Sequence, residues 1–250
     1  MFSHEGSERS DRENRLLAGY LAFVAGFTNS AGFLLIGSFT SHVTGNVGRL
    51  ANDLAIGDQG AAVSAVTLLV AFFSGAFLVS VILESRVFRH ISRAYAFAMA
   101  FEALLLAGFT LFSNLAPVAY PRILDAGAAL LCAAMGMQNG LVTRISGAVV
   151  RTTHLTGVVT DLGIETARWF RYWRRSLASV TSERPSATKS RLLVTIALAF
   201  LLGAVGGALV TVRLGAPSML LAAVSIAGLA LYALRNGRAH DDGASRLSRR

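Results

Sequence analysis

"AAVSAVTLLVAFFSGAFLVSVIL", residues 61–83, runs for 23 positions without a charged side chain. A helix needs about 20 such residues to cross roughly 30 Å of hydrocarbon. Working outward, five further blocks of the same kind lie at about 16–36, 94–114, 123–142, 192–212 and 217–234. The whole chain is 54% hydrophobic and 15% charged, with a mean hydropathy of +0.56. Soluble domains carry about 25% charged residues. The sequence therefore predicts an all-α polytopic membrane protein with six transmembrane helices.

The net charge of +9 raises the question of nucleic acid, and its distribution answers it. Counted between the blocks, Lys and Arg number 3, 1, 3, 1, 9, 1 and 5, so alternate segments hold 20 against 3. That is the positive-inside pattern, and it puts both termini in the cytoplasm. No nucleic-acid partner is expected. The single cysteine, Cys132, lies within the fourth block and reads as a small apolar packing residue. No signal peptide precedes the first block, which is itself long enough to direct insertion.

Several segments occur twice in the same order. "GFTN" at 26–29 resembles "GMQN" at 136–139, and "AFFSGA" at 71–76 resembles "AFLLGA" at 199–204. "AGFTLF" at 107–112 resembles "AGLALY" at 227–232. Between the first two pairs, "HVTGN" from His42 is matched by "HLTGV" from His154. The chain thus divides into a tail at 1–15, a three-helix repeat at 16–114, a second at 115–234, and a tail at 235–250. The second repeat carries a polar cytoplasmic linker at about 168–191. Three is odd, so the second copy enters the membrane from the opposite side. The expected architecture is two inverted three-helix repeats, as in transporters that alternate access between two faces.

In each copy of the motif, His42, Thr44, Gly45 and Asn46, or His154, Thr156 and Gly157, precede a run too short or too polar to span. A Thr–Gly pair there reads as a helix start, with Thr capping free N–H groups and Gly allowing close approach. A helix start facing a cavity favours an anion or carboxylate. The plainer reading is a turn tied to the bundle. Neither copy supplies a second ligand at metal spacing, so no metal site is expected.

Glu102 falls near the middle of the third block. A carboxylate at the bilayer centre costs about 2.5–3.5 kcal/mol on insertion scales, and such residues mark pathways or proton relays. Its two readings are a proton-coupling site and a protonated acid bonded to a neighbouring helix. Asn29, Gln138 and Asn139 sit near the ends of the first and fourth blocks, suited either to bonds between helices or to lining a solute path. Gly136 and Gly140, and Gly203 and Gly207, form G-x-x-x-G pairs that read first as packing within one protomer and second as a homo-oligomer contact.

The linker opens on "RWFRYWRR", 168–175. Trp169, Arg171, Trp173, Arg174 and Arg175 there suit a membrane interface, with aromatic rings at headgroup depth and arginines on anionic lipid. No H-E-x-x-H, P-loop, G-x-S-x-G or C-x-x-C motif is present, so neither a cofactor nor an enzymatic activity is expected.

"GFTNSAGFLL" with "SHVTGN", and "GMQNGLVTRISG" with "RTTHLTGVVTDLG", resemble the YoaK-like family of bacterial inner-membrane proteins over about 15–235. The first span of that family more often ends in Val-Asp-Ala; here Thr28, Asn29 and Ser30 occupy the place. The resemblance implies a multi-pass protein of uncharacterised function and supplies no substrate. The residues themselves point to a small secondary transporter or permease for a small anion or carboxylate, coupled to protons. The alternative is a structural or regulatory membrane protein that binds lipid or a partner through its basic segment.

Overall fold

The structure is a computed structural model and describes residues 11–85, 91–115, 121–145, 155–174 and 185–247. Eight α-helices are present among them: α1 (Asp11–Ile36), α2 (Val43–Ala55), α3 (Gln59–Glu84), α4 (Ile91–Leu115), α5 (Pro121–Ile145), α6 (Leu155–Arg174), α7 (Ala187–Leu214) and α8 (Met219–Leu247). Six of them, α1, α3, α4, α5, α7 and α8, are long and apolar enough to cross a membrane. The protein is an integral multi-pass membrane protein; the first five hydrophobic blocks read from the sequence each fall within one of these helices, and the sixth, 217–234, begins in the short 3-10 turn Ala216–Ser218 that leads into α8. Helices are forced on the chain because hydrocarbon offers no partner for a free backbone N–H or C=O.

Local signals set the ends. Asp58 accepts from the Ala61 N–H at 3.0 Å and starts α3. Ser186 accepts from the Lys189 N–H at 3.2 Å and starts α7. Gly37 and Gly215, at φ 69° and 66°, turn the chain out of α1 and α7 in a conformation costly for other residues.

The helices run on into the segments assigned to the tails and the linker. α1 takes in residues 11–15 of the N-terminal tail, and α8 continues through the C-terminal tail to Leu247. In the linker, α6 runs on to Arg174 and α7 begins at Ala187. Hydrophobicity marks where a helix is in lipid, whereas helical geometry propagates until a cap or glycine stops it. Acidic residues in the first turn of α1, Asp11 and Glu13, also suit the helix dipole.

α1 packs mainly on α7, α3 on α5, and α4 between α5 and α8. Glycines set the closest approaches. A Cβ at Gly26 of α1 would overlap the Phe200 carbonyl of α7, and one at Gly203 of α7 would overlap the Phe23 carbonyl of α1. A Cβ at Gly136 of α5 would overlap the Phe72 carbonyl of α3, and one at Gly75 of α3 would overlap the Ala133 carbonyl of α5. Partner numbers rise together in each pair: Phe23 with Gly203 and Phe27 with Gly207, then Phe72 with Gly136 and Val79 with Gly140. Hence α1 runs parallel to α7, and α3 parallel to α5. Lipid gives helices no hydrophobic reason to associate, so this backbone-to-backbone contact supplies the cohesion.

α5 is the inner helix, with 61% of its apolar window buried, against 22% for α3 at the outside. Outward-facing Phe73, Phe77, Leu202 and Val212 are exposed on the bundle surface, as lipid contact requires. The core behind them gathers Leu21, Tyr95, Met99, Leu106, Phe109, Leu131 and Ile226.

Candidate functional site

The first motif is a folded turn. After Gly37 the chain doubles back along the end of α1. Asn29 Oδ1 accepts from the Ser41 N–H at 3.2 Å and from the Ser41 hydroxyl at 3.0 Å. Ser38 donates to Asn46 Oδ1 at 3.2 Å in a buried bond, and Asn46 is the one buried residue of α2. Phe39 stacks on Phe33 at 4.4 Å and meets the His42 ring edge-on at 6.2 Å. A Cβ at residue 45 would strike His42 Nδ1, so the His-x-x-Gly spacing lets the imidazole lie over the first turn of α2.

The expected Thr cap is corrected by one turn boundary. α2 begins at Val43, its N-cap is His42, and no side chain caps it. Thr44 is an exposed second residue of the helix. Thr156 likewise is the exposed second residue of α6, and Gly157 beside it meets nothing within 4 Å. A threonine already inside the helix cannot reach back to the free N–H groups. His154 lies outside the described residues.

The second motif is anchored by different chemistry. Glu165 of α6, with 2% of its side chain exposed, pairs with Arg168 at 2.8 Å and with Lys189 of α7 at 3.6 Å. Lys189, the only lysine of the chain, also reaches Asp161 at 3.5 Å. Trp169 Nε1 donates to the Ser190 hydroxyl at 3.2 Å. Together these bonds tie α6 to the start of α7. A cavity of about 320 Å³ lies beside them, lined by Asp11, Asn14, Arg15, Asp161 and Lys189. On α2 the corresponding charges are Arg49 and Asp53, 3.6 Å apart and on the same helix.

The α6 clasp makes a direct prediction. Lys189→Met leaves the buried Glu165 with Arg168 as its remaining counter-ion, and a buried charge that loses a partner is destabilising. Hydrogen exchange along 158–168 should quicken about tenfold, equivalent to ~1.4 kcal/mol, while α5 stays protected. Adding Glu165→Leu should restore most of the loss, since both partners are then gone. Unchanged exchange in Lys189→Met would show that the clasp holds nothing.

The C-terminal half of α6 carries the interfacial residues. Trp169 meets Tyr172 edge-on at 6.1 Å and Trp173 at 6.4 Å, and the Arg174 guanidinium lies 5.5 Å over Phe170. Arg171, Trp173 and Arg174 are exposed; Arg175 lies outside the described residues.

Three further polar side chains are buried within the spans of α1, α4 and α5. Thr28, Glu102 and Gln138 are 1%, 2% and 0% exposed. Thr28 Oγ1, Glu102 Oε2 and both amide atoms of Gln138 have no hydrogen-bond partner among the described residues. A buried polar atom left without a partner costs about 1–3 kcal/mol. Asn139, next to Gln138, is half-buried. Glu102 and Gln138 were expected from sequence; Thr28 was not, although it is the counterpart of Gln138 in the repeated "GFTN" and "GMQN". A threonine scarcely disturbs a hydropathy profile.

The helices and the buried polar groups within them define the class: an all-α integral membrane protein with six candidate spans and an interior that is not wholly apolar. The chain belongs to the DUF1275 family, described as a protein of unknown function, whose model matches residues 17–232. No curated protein and no solved structure matches it.

Proposed function

We propose that the chain is a small secondary transporter of the bacterial inner membrane, made of two three-helix halves of opposite orientation with the solute path between them. The observation that carries this reading is the matching of the glycine contacts. Gly26 on Phe200 corresponds to Gly136 on Phe72, and Gly203 on Phe23 corresponds to Gly75 on Ala133. Each residue is its counterpart's repeat mate, 110 positions apart in α1 and α5 and 128 apart in α3 and α7. Such exchange is what a pseudo-twofold axis between the halves produces. Burial supports the same pairing: 50% and 61% for the apolar windows of α1 and α5, 22% and 28% for α3 and α7, 44% and 39% for α4 and α8. Three spans per half invert the second half, the arrangement shared by many secondary transporters.

The charge alternation favours cytoplasmic termini, with α2 on the outer face and α6 on the inner. The small anion or carboxylate read from the sequence keeps its support only from the uncapped start of α2, whereas the middle of the bundle holds a carboxylate of its own. The YoaK-like resemblance is compatible with this reading and adds no substrate.

The second reading, a lipid-binding or regulatory protein, draws on the exposed Trp173 and Arg174 of α6. Thermal unfolding of the purified protein against a library of small metabolites separates the two. A transporter binds its solute in the folded state, so at least one compound should raise the melting temperature in a concentration-dependent way. A folded protein stabilised by anionic lipid and by no small solute would replace the transporter reading with the second.

A further inference from the structure

We infer that Thr28, Glu102 and Gln138 form one occluded site for a monovalent metal cation at the centre of the bundle. The inference rests on burial without partners and on register. Thr28 lies one turn before Gly32, whose Cβ position meets Leu131 of α5 at 3.6 Å. Glu102 lies two turns before Phe109, whose ring meets the Cβ position of Gly127 in α5 at 3.2 Å. Positions one or two turns apart share a helix face. Both α1 and α4 cross α5 in the opposite direction, so Thr28 comes level with Met135 and Glu102 with Ala134, each about one turn from Gln138.

Three helices thus bring three oxygen-bearing groups within about one helical turn of one another along the bundle: a hydroxyl, a carboxylate and an amide carbonyl. Buried polar atoms in folded proteins are almost always satisfied, and lipid supplies no water to do it. Oxygen donors of this kind suit a hard cation, and carbonyl groups at mid-membrane hold coupling ions in secondary transporters. One carboxylate balances one positive charge. A divalent ion would leave an excess charge in a medium that cannot solvate it, and an anion would meet Glu102 unfavourably. A proton on Glu102 could donate to one acceptor, Thr28 Oγ1 or the Gln138 carbonyl, and would leave the other without a partner, whereas a cation engages all three. Half a turn of the Gln138 amide exchanges its oxygen and nitrogen, so presenting the oxygen is open to it.

The site deepens the transporter reading by giving it a coupling ion, but its test needs no transport, so the two can fail separately. Purified protein is unfolded thermally in NaCl, KCl and choline chloride at equal ionic strength. Na⁺ or K⁺ should raise the melting temperature saturably over choline. Glu102→Gln should abolish the difference while folding as well as the parent in choline, a combination a purely structural carboxylate would not give. Thr28→Val and Gln138→Leu should each weaken the apparent cation affinity at least tenfold. Equal melting temperatures in the three salts, or a cation effect that survives Glu102→Gln, would overturn the inference. A melting temperature that follows pH and ignores the cation would overturn it too, and assign Glu102 to a proton.

Discussion

Gly26→Ala or Gly136→Ala will lower the melting temperature of the protein by about 5–10 °C, and leucine at either position will prevent the folded protein from accumulating. Each added Cβ would overlap a backbone carbonyl of the neighbouring helix, that of Phe200 or Phe72. A flexible side chain could move aside; a helix backbone cannot without separating the pair along its length. Overpacking a core usually costs about 1–3 kcal/mol. A chain of this size loses roughly 2–4 °C per kcal/mol. Gly206 and Gly228 provide the control, since a Cβ at either meets nothing within 4 Å. There the same substitution should be neutral or slightly stabilising, because alanine is the better helix former by about 1 kcal/mol. Equal responses at all four positions would mean that the close approaches are not what holds α1 to α7 and α3 to α5.

That contrast also marks how far the sequence could be read. The six spans were legible because lipid demands an unbroken apolar run, as at 61–83. The G-x-x-x-G pairs were legible as packing, and their partners were not: nothing local in "GAVGG" says that Gly203 and Gly207 will lie on Phe23 and Phe27. The polar motif was legible as a repeated helix start, but its chemistry was misjudged by one or two residues. His42 rather than Thr44 stands at the N-cap, and Asn29 and Asn46 spend their oxygens on Ser41 and Ser38. Such pairings arise only when the chain doubles back on α1. The Glu165–Lys189 bond escaped for a similar reason, since its partners are separated by the polar segment between α6 and α7. Glu102 and Gln138 stood out because ionic and amide side chains are rare at membrane depth. Thr28 did not, because a small hydroxyl hides in an apolar block.

The two copies of the motif differ in how they are held. The glycine crossings occur twice, α1 on α7 and α3 on α5, and hold the helix backbones together. The anchoring of the short helices has diverged: hydrogen bonds within the first half for α2, an ion-paired clasp to α7 for α6.

The opposite orientation of the halves is the claim on which the transporter reading depends, and sidedness of labelling tests it most directly. Thr44 and Thr156 are exposed counterparts in the repeated motif, and the one native cysteine, Cys132, is buried and can be replaced. Thr44→Cys should react with a membrane-impermeant thiol reagent on intact cells and be protected in inverted vesicles. Thr156→Cys should show the reverse, an all-or-none difference in each case. Labelling of both positions from one side would contradict the inverted arrangement and remove the basis for alternating access.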